Sequence, residues 1–212
     1  MSIKRRSVLK GMALSGLAGL TLGRAGLASA GTSAATLTRK PLMVLVSGAE
    51  AEAAFAAGAQ SNPAAGIVTV LRTDHGLEFI SSLQRQLNAS NGERIIGLVD
   101  DATGALILDL ARSAGARLHW SGQHVTEGGQ SRHRLSATPG VIDCIGQFSG
   151  LTDGCSRPSS LANQSLTAGR HWAPALGFSL SSPDPGRRYL RAAPPKQAPA
   201  LTGHYVSFFI ET

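Results

Sequence analysis

The stretch Pro41-Leu-Met-Val-Leu-Val46 constrains this chain most, because six apolar residues in a row, stopped by Ser47-Gly48, suit few places in a folded protein. A short apolar run of this kind reads as a strand buried on both faces, the situation of parallel sheets covered by helices on each side. The next segment agrees. Ala49 to Ala59 is alanine-rich, and Glu50 and Glu52 stand where negative charge favours a helix N-terminus. The unit then recurs. Gly66 to Leu71 is a second strand, followed by the turn Arg72 to Gly76 and a helix over Leu77 to Leu87 with Leu77, Ile80, Leu83 and Leu87 at helical spacing. Arg94 to Val99 is a third strand, ended by Asp100-Asp101. Ala102 to Ala114 is a third helix, with Leu106, Leu110 and Ala114 on one face and Gly115 as its stop. Three β-α units predict an α/β fold: a mainly parallel sheet flanked by helices.

After Ala116 the period changes to two. Leu118, Trp120 and Gly122 share one face, Gly128-Gly129 is a turn signal, and Ser131 to Ala137 returns, so a hairpin is expected at the edge of the sheet. Gly140 to Leu151 fits helix and strand equally. Seven of the ten prolines fall between Pro158 and Pro199, which predicts a loop-rich C-terminal region wrapping the core. Within it, Leu166 to Ser179 has room for a short helix. Residues 183–199 read as a solvated proline-rich connector, with a docking arm as the alternative, and His204 to Glu211 as a strand.

Residues 1–30 have a different character. Lys4-Arg5-Arg6 and Lys10 form a basic region, Gly11 to Leu22 is a weakly apolar run of twelve residues, and Ala28-Ser29-Ala30 carries small residues at alternate positions. The stretch Lys4-Arg5-Arg6-Ser7-Val8-Leu9-Lys10 resembles the twin-arginine (Tat) export signal of bacteria through Arg5, Arg6, Leu9 and Lys10. Lys4 stands where that signal usually has Ser or Thr, and Val8 where it has Phe. The resemblance implies a signal peptide over 1–30, handled by the Tat machinery and cut after Ala30 by signal peptidase. The product would be periplasmic, with a flexible tail over 31–40 and a single α/β domain over 41–212. A general secretory signal and a membrane anchor are the alternatives, although twelve residues fall short of the ~20 that span a bilayer.

This partition changes the meaning of the charge. The chain carries 20 basic and 13 acidic residues, a net +7. Five of the basic residues (Lys4, Arg5, Arg6, Lys10 and Arg24) lie in the first thirty, where there is no acid. The remainder has fifteen against thirteen, about +2, too even for a phosphate-backbone footprint. Nucleic acid is therefore excluded as the expected partner. No later stretch has the composition of a membrane span, since Glu50 and Glu52 interrupt Leu42 to Ala59, and the mature product is expected to be soluble. An exported protein partner is kept as a possibility through the proline-rich region.

The two cysteines, Cys144 and Cys155, are eleven residues apart. In an oxidising compartment a disulfide between them is expected, worth about 3 kcal/mol on a chain-entropy argument. Two separate buried thiols are the alternative. Two thiols are too few for an iron–sulfur cluster, and their spacing is unlike a zinc pair.

Nothing in the chain names a cofactor: G-x-G-x-x-G and the P-loop pattern are both missing. What selects residues is the rule that open parallel sheets bind ligands at the carboxyl ends of their strands. Ser47 and Gly48 follow strand one, Thr73, Asp74 and His75 strand two, Asp100 and Asp101 strand three, and Gln123 and His124 the fourth. Ser47, Gly48, Thr73, Asp100 and Gln123 are the ligand-binding candidates. Asp74, His75, Asp100, Asp101 and His124 are the acid–base candidates. Plainer roles compete. Asp101 or Thr103 suits an N-cap for the helix at Ala102, Ser47 one for the helix at Ala49, and Asp74-His75-Gly76 is turn chemistry. A hairpin brings His124 near His133, whereas strand alternation puts His119 and His124 on opposite faces unless a bulge at Gly122 intervenes. No metal site is expected from this spacing. Ser149, in Gly146-Gln-Phe-Ser-Gly150, lacks the G-x-S-x-G elbow of a serine hydrolase. The chain therefore reads as an exported, non-catalytic small-ligand-binding or accessory protein, with an Asp/His acid–base enzyme as the alternative.

Overall fold

Strand β1 (Leu42–Val46) is buried along its whole length, as its unbroken apolar sequence requires. Its two neighbours explain why. In the computed structural model, which describes residues 40–89, 91–127, 130–137, 162–164, 172–183 and 202–212, β1 pairs in parallel with β2 (Val68–Arg72) on one side and β3 (Arg94–Asp100) on the other. Helices α1 (Glu50–Gln60), α2 (Leu77–Asn88) and α3 (Asp101–Ser113) follow these strands in turn, so the three expected β-α units are present within two residues at each end.

The second half of the sheet departs from the expectation of a mainly parallel sheet. Strands β4 (Arg117–Glu127) and β5 (Gln130–Ala137) form the expected hairpin, but β4 does not join β3. The strand β7 (Gly203–Glu211) enters between them, antiparallel to both. Six strands thus form a mixed sheet in the order β2-β1-β3-β7-β4-β5, parallel on one side of β3 and antiparallel on the other. The three-residue strand β6 (Ala162–Gln164) adds to the outer side of β5. The C-terminal region does more than wrap the core, because β7 is an interior strand with six consecutive buried residues, Tyr205 to Ile210. The tip of the hairpin, residues 138–161, both cysteines, residues 1–39 and residues 184–201 lie outside the described residues.

Two apolar layers clasp the sheet. On one face α1 and the helix α4 (Trp172–Leu180) enclose Val44, Phe55, Ile96, Leu98, Trp120, Trp172, Leu176 and Phe209. On the other, α2 and α3 enclose Leu45, Leu83, Leu87, Val99, Ile107 and Phe208. Helices α1 and α4 meet through glycines: a Cβ at Gly58 would overlap the Pro174 carbonyl, and one at Gly177 would overlap the Phe55 carbonyl. The buried stripe of α3 is Thr103, Gly104, Ile107 and Ala111, one residue round from the expected Leu106, Leu110 and Ala114, because Gly104 lets the helix settle directly on Val206 of β7. Buried hydrogen bonds pin the amino-end edge. The Arg94 guanidinium donates to the Ala65 and Ser181 carbonyls, at 2.8 and 3.0 Å. The Asn62 amide donates to the Phe178 carbonyl and the Ser181 and Ser182 hydroxyls. Among the described residues, no helix is long and apolar enough to cross a membrane.

Candidate functional site

The carboxyl ends of β1, β2 and β3 bring together three of the residues selected from the sequence. Ser47 Oγ donates to Asp100 Oδ2 at 2.8 Å, and Thr73 Oγ1 donates to Ser47 Oγ at 3.2 Å. Asp100 is also the N-cap of α3. Its carboxylate accepts from the Thr103 backbone N–H at 2.9 Å and from Thr103 Oγ1 at 2.6 Å. The cap is therefore Asp100, neither Asp101 nor Thr103, since the residue with extended backbone just before the first helical turn is the one whose side chain reaches the free N–H groups. Ser47 does not cap α1 either. The Glu52 carboxylate does so from within the helix, accepting from the Gly48 and Ala49 N–H groups. Gly48 has a φ of 114°, with the Arg72 guanidinium lying where a side chain would stand. Burial acts to raise the Asp100 pKa. The hydrogen bonds from Thr103 and Ser47 and the nearby His75 outweigh it and hold the carboxyl below its ordinary range.

The acid–base candidates do not converge. His75 Nε2 reaches Thr103 Oγ1 at 3.5 Å, and Thr103 stands between it and Asp100. Asp74 and Asp101 are exposed, and Asp74 accepts from the Gly76 N–H in a local turn. His124 is fully buried in another place, one strand beyond β7.

Around His124 the hairpin forms as expected, while the bulge lies elsewhere. The hairpin sets His124 opposite His133, and their Nδ1 atoms are 2.7 Å apart. The register irregularity of β4 falls between Leu118 and Trp120, not at Gly122, and it turns His119 against Phe209, on the α1–α4 face that also holds His124. His124 Nε2 lies 2.8 Å from Ser207 Oγ, which also accepts from Trp120 Nε1 at 2.8 Å. Trp172, the first residue of α4, stacks on His124 with ring centroids 4.6 Å apart and meets His133 edge-on at 5.1 Å. Trp172 was not among the selected residues. Its only sequence signal is a bulky apolar residue at the start of a short apolar helix. Burial drives both imidazoles toward the neutral form, His133 to about 4 and His124 well below the ordinary histidine range, with the neighbouring His133 adding to the effect on His124. His133 Nε2 and Trp172 Nε1 are buried without a hydrogen-bond partner among the described residues. Among those residues no group of three or more His, Cys, Asp or Glu side chains converges to hold a metal.

Gln123 points away from all of this. It lines a groove of about 690 Å³ on the opposite face, between α3 and the outer side of the hairpin. Ala105, Leu106, Leu108, Gly122 and Val206 supply apolar surface, while Asp101, Asp109, Arg112, Arg134, Ser121, Gln123 and Ser136 supply polar groups. The sheet is wider than the helix layer here. Helix α3 packs on β7, and no described helix follows to cover β4 and β5. The one-residue rotation of α3 leaves Leu106 at the groove instead of in the core.

The chain matches no family model, and neither the curated proteins nor the solved structures supply a match.

Proposed function

We propose that this chain is an exported, soluble periplasmic protein that binds a small ligand without transforming it, and that the ligand lies in the groove between α3 and the hairpin. The observation that carries the reading is the groove itself. It has the volume of a small-molecule site, apolar surface and a few polar side chains on facing elements. The strand-end cluster supports it by default. The Ser47, Thr73 and Thr103 hydroxyls and the Asp100 carboxylate spend hydrogen bonds on one another, which ties three strand ends together and leaves little to offer a ligand. The same saturation weighs against the acid–base alternative, since a carboxylate held ionised by three donors is a poor base. The export half of the proposal rests on the Arg5-Arg6 signal and the small-residue cleavage pattern.

Native mass spectrometry of the protein recovered from the periplasm tests both halves. The expected result is a chain beginning at Gly31 that carries a small-molecule adduct lost on denaturation. The variant Ala105→Trp, whose indole fills the groove from an exposed helix position, is expected to fold and to travel without the adduct. A bare chain, together with amide signals at Ala105 and Gln123 that no fraction of a periplasmic metabolite extract displaces, would remove the ligand-binding reading.

A further inference from the structure

The two edges of the sheet are finished differently. At the β5 edge the strand carries the exposed charges Arg132 and Arg134 and is followed by β6. At the other edge β2 pairs only with β1 among the described residues, and four of its five residues are exposed. Edge strands are ordinarily blunted by Pro, Lys, a bulge or a covering segment, because a bare edge presents a row of unpaired N–H and C=O groups. Strand β2 contains no Pro or Lys, its register with β1 is regular from Val68 to Arg72, and among the described residues no further strand pairs with it. Its one charge, Arg72, is turned back onto β1, with Nε donating to the Ser47 carbonyl at 3.2 Å.

The apolar surface tells the same story. The exposed large hydrophobic residues among those described are Ile67 at 78%, Val70 at 36%, Leu71 at 38% and Leu77 at 82%. Val70 and Leu71 lie on β2, Ile67 directly precedes it, and Leu77 opens α2, beyond the turn that follows the strand. Leu77 was expected to belong to the buried stripe of α2, yet that stripe begins only at Leu83.

We infer that the β2 edge is the interface of a homodimer, in which two copies pair β2 with β2 in antiparallel fashion and continue the sheet across a two-fold axis. A second copy is the occupant that this edge fits for three reasons. An open strand edge is complementary to its own copy turned through a half-rotation, as a two-fold interface demands. A pairing centred on Val70 sets Thr69 opposite Leu71 and Val68 opposite Arg72. The two Arg72 residues are then about 13 Å apart, beyond the ~10 Å screening length of a dilute salt solution, so no like charges face each other. The same pairing sets the exposed Val70 against Val70 of the second copy and brings cover to Ile67 and Leu71, so apolar burial adds to the backbone hydrogen bonds.

Analytical ultracentrifugation of the purified protein over the micromolar range, paired with hydrogen exchange, tests this. The expected result is a reversible dimer whose formation protects the outward amides of β2, and only those, as concentration rises. Val70→Lys and Leu71→Lys each place a charge on the edge and are expected to raise the dimer dissociation constant at least about tenfold, with an unchanged circular dichroism spectrum. Three outcomes overturn the inference: a monomer throughout, a dimer whose β2 amides exchange independently of concentration, or a dimer indifferent to whichever of the two variants folds. Protection of β2 by another protein in a monomeric preparation would belong to the first of these.

Discussion

At the scale of single residues, the buried histidine pair sets the acid limit of the fold. One Nδ1 donates and the other accepts across 2.7 Å, so the pair is satisfied only while it holds no more than one extra proton, and burial disfavours even that one. Both folded-state pKa values lie below the ordinary 6.5, His133 at about 4. The unfolded chain therefore binds protons that the native one refuses. The stabilisation is complete above about pH 6.5 and is lost progressively as pH falls toward 4, His133 alone contributing on the order of 3 kcal/mol. Urea unfolding at a series of pH values should show this slope, and His133→Leu, which cannot take a proton, should remove the His133 share of it. Asp100 works in a lower window. Its depressed pKa makes its contribution complete above about 3.8 and lost as pH falls through the folded value. Asp100→Ala should cost roughly 1–2 kcal/mol at neutral pH through the lost cap, more if Ser47 and Thr103 are left unpaired, measured by the same titration. The meeting of Ser47, Thr73 and Asp100 was legible in the sequence, because strand ends follow from strand boundaries. So was the approach of His124 to His133, a matter of hairpin register. Trp172 over both of them was not, since it arrives from a helix more than thirty residues later and no local pattern encodes that return.

At the scale of elements, the contact between α1 and α4 turns on two glycines. Alanine is ordinarily about 1 kcal/mol better than glycine inside a helix. Here the Cβ would meet a backbone carbonyl of the opposing helix, which can yield only by separating the helices, a cost of roughly 1–3 kcal/mol. Gly177→Ala is accordingly expected to lower the thermal midpoint despite its better propensity, and the paired change Gly58→Ala with Gly177→Ala to cost less than the sum of the two, since one separation relieves both clashes. Differential scanning calorimetry of the three variants measures it. Glycine pairing also explains where the sequence reading of the elements stopped. Their existence and order in the β-α half were plain from hydrophobic spacing. The face each helix buries was not, because in α3 Gly104 brings the backbone onto Val206 and shifts the stripe by one residue. Spacing records which residues are apolar, whereas close approach is recorded by what a residue lacks.

At the scale of the whole molecule, the position of β7 decides the architecture. Three β-α units imply a parallel sheet that continues, but a strand from the far end of the sequence pairs antiparallel with β3 and β4 at once. A run such as Tyr205 to Ile210 shows that a strand is buried without showing its direction or its neighbours. Deleting residues 203–212 is therefore expected to abolish cooperative unfolding rather than trim an edge: β3 and β4 would face each other across an empty row, and Trp120 would lose the Ser207 hydroxyl. Circular dichroism during a denaturant titration distinguishes a lost transition from a shifted one. The insertion has a consequence in time as well. The ribosome makes β7 after every other described strand, so the sheet cannot close between β3 and β4 until residues 203–211 are available. Any chain whose synthesis stops early is left with a gap through its middle instead of a ragged end, and a product of that kind is conspicuous to the proteases that clear unfinished proteins.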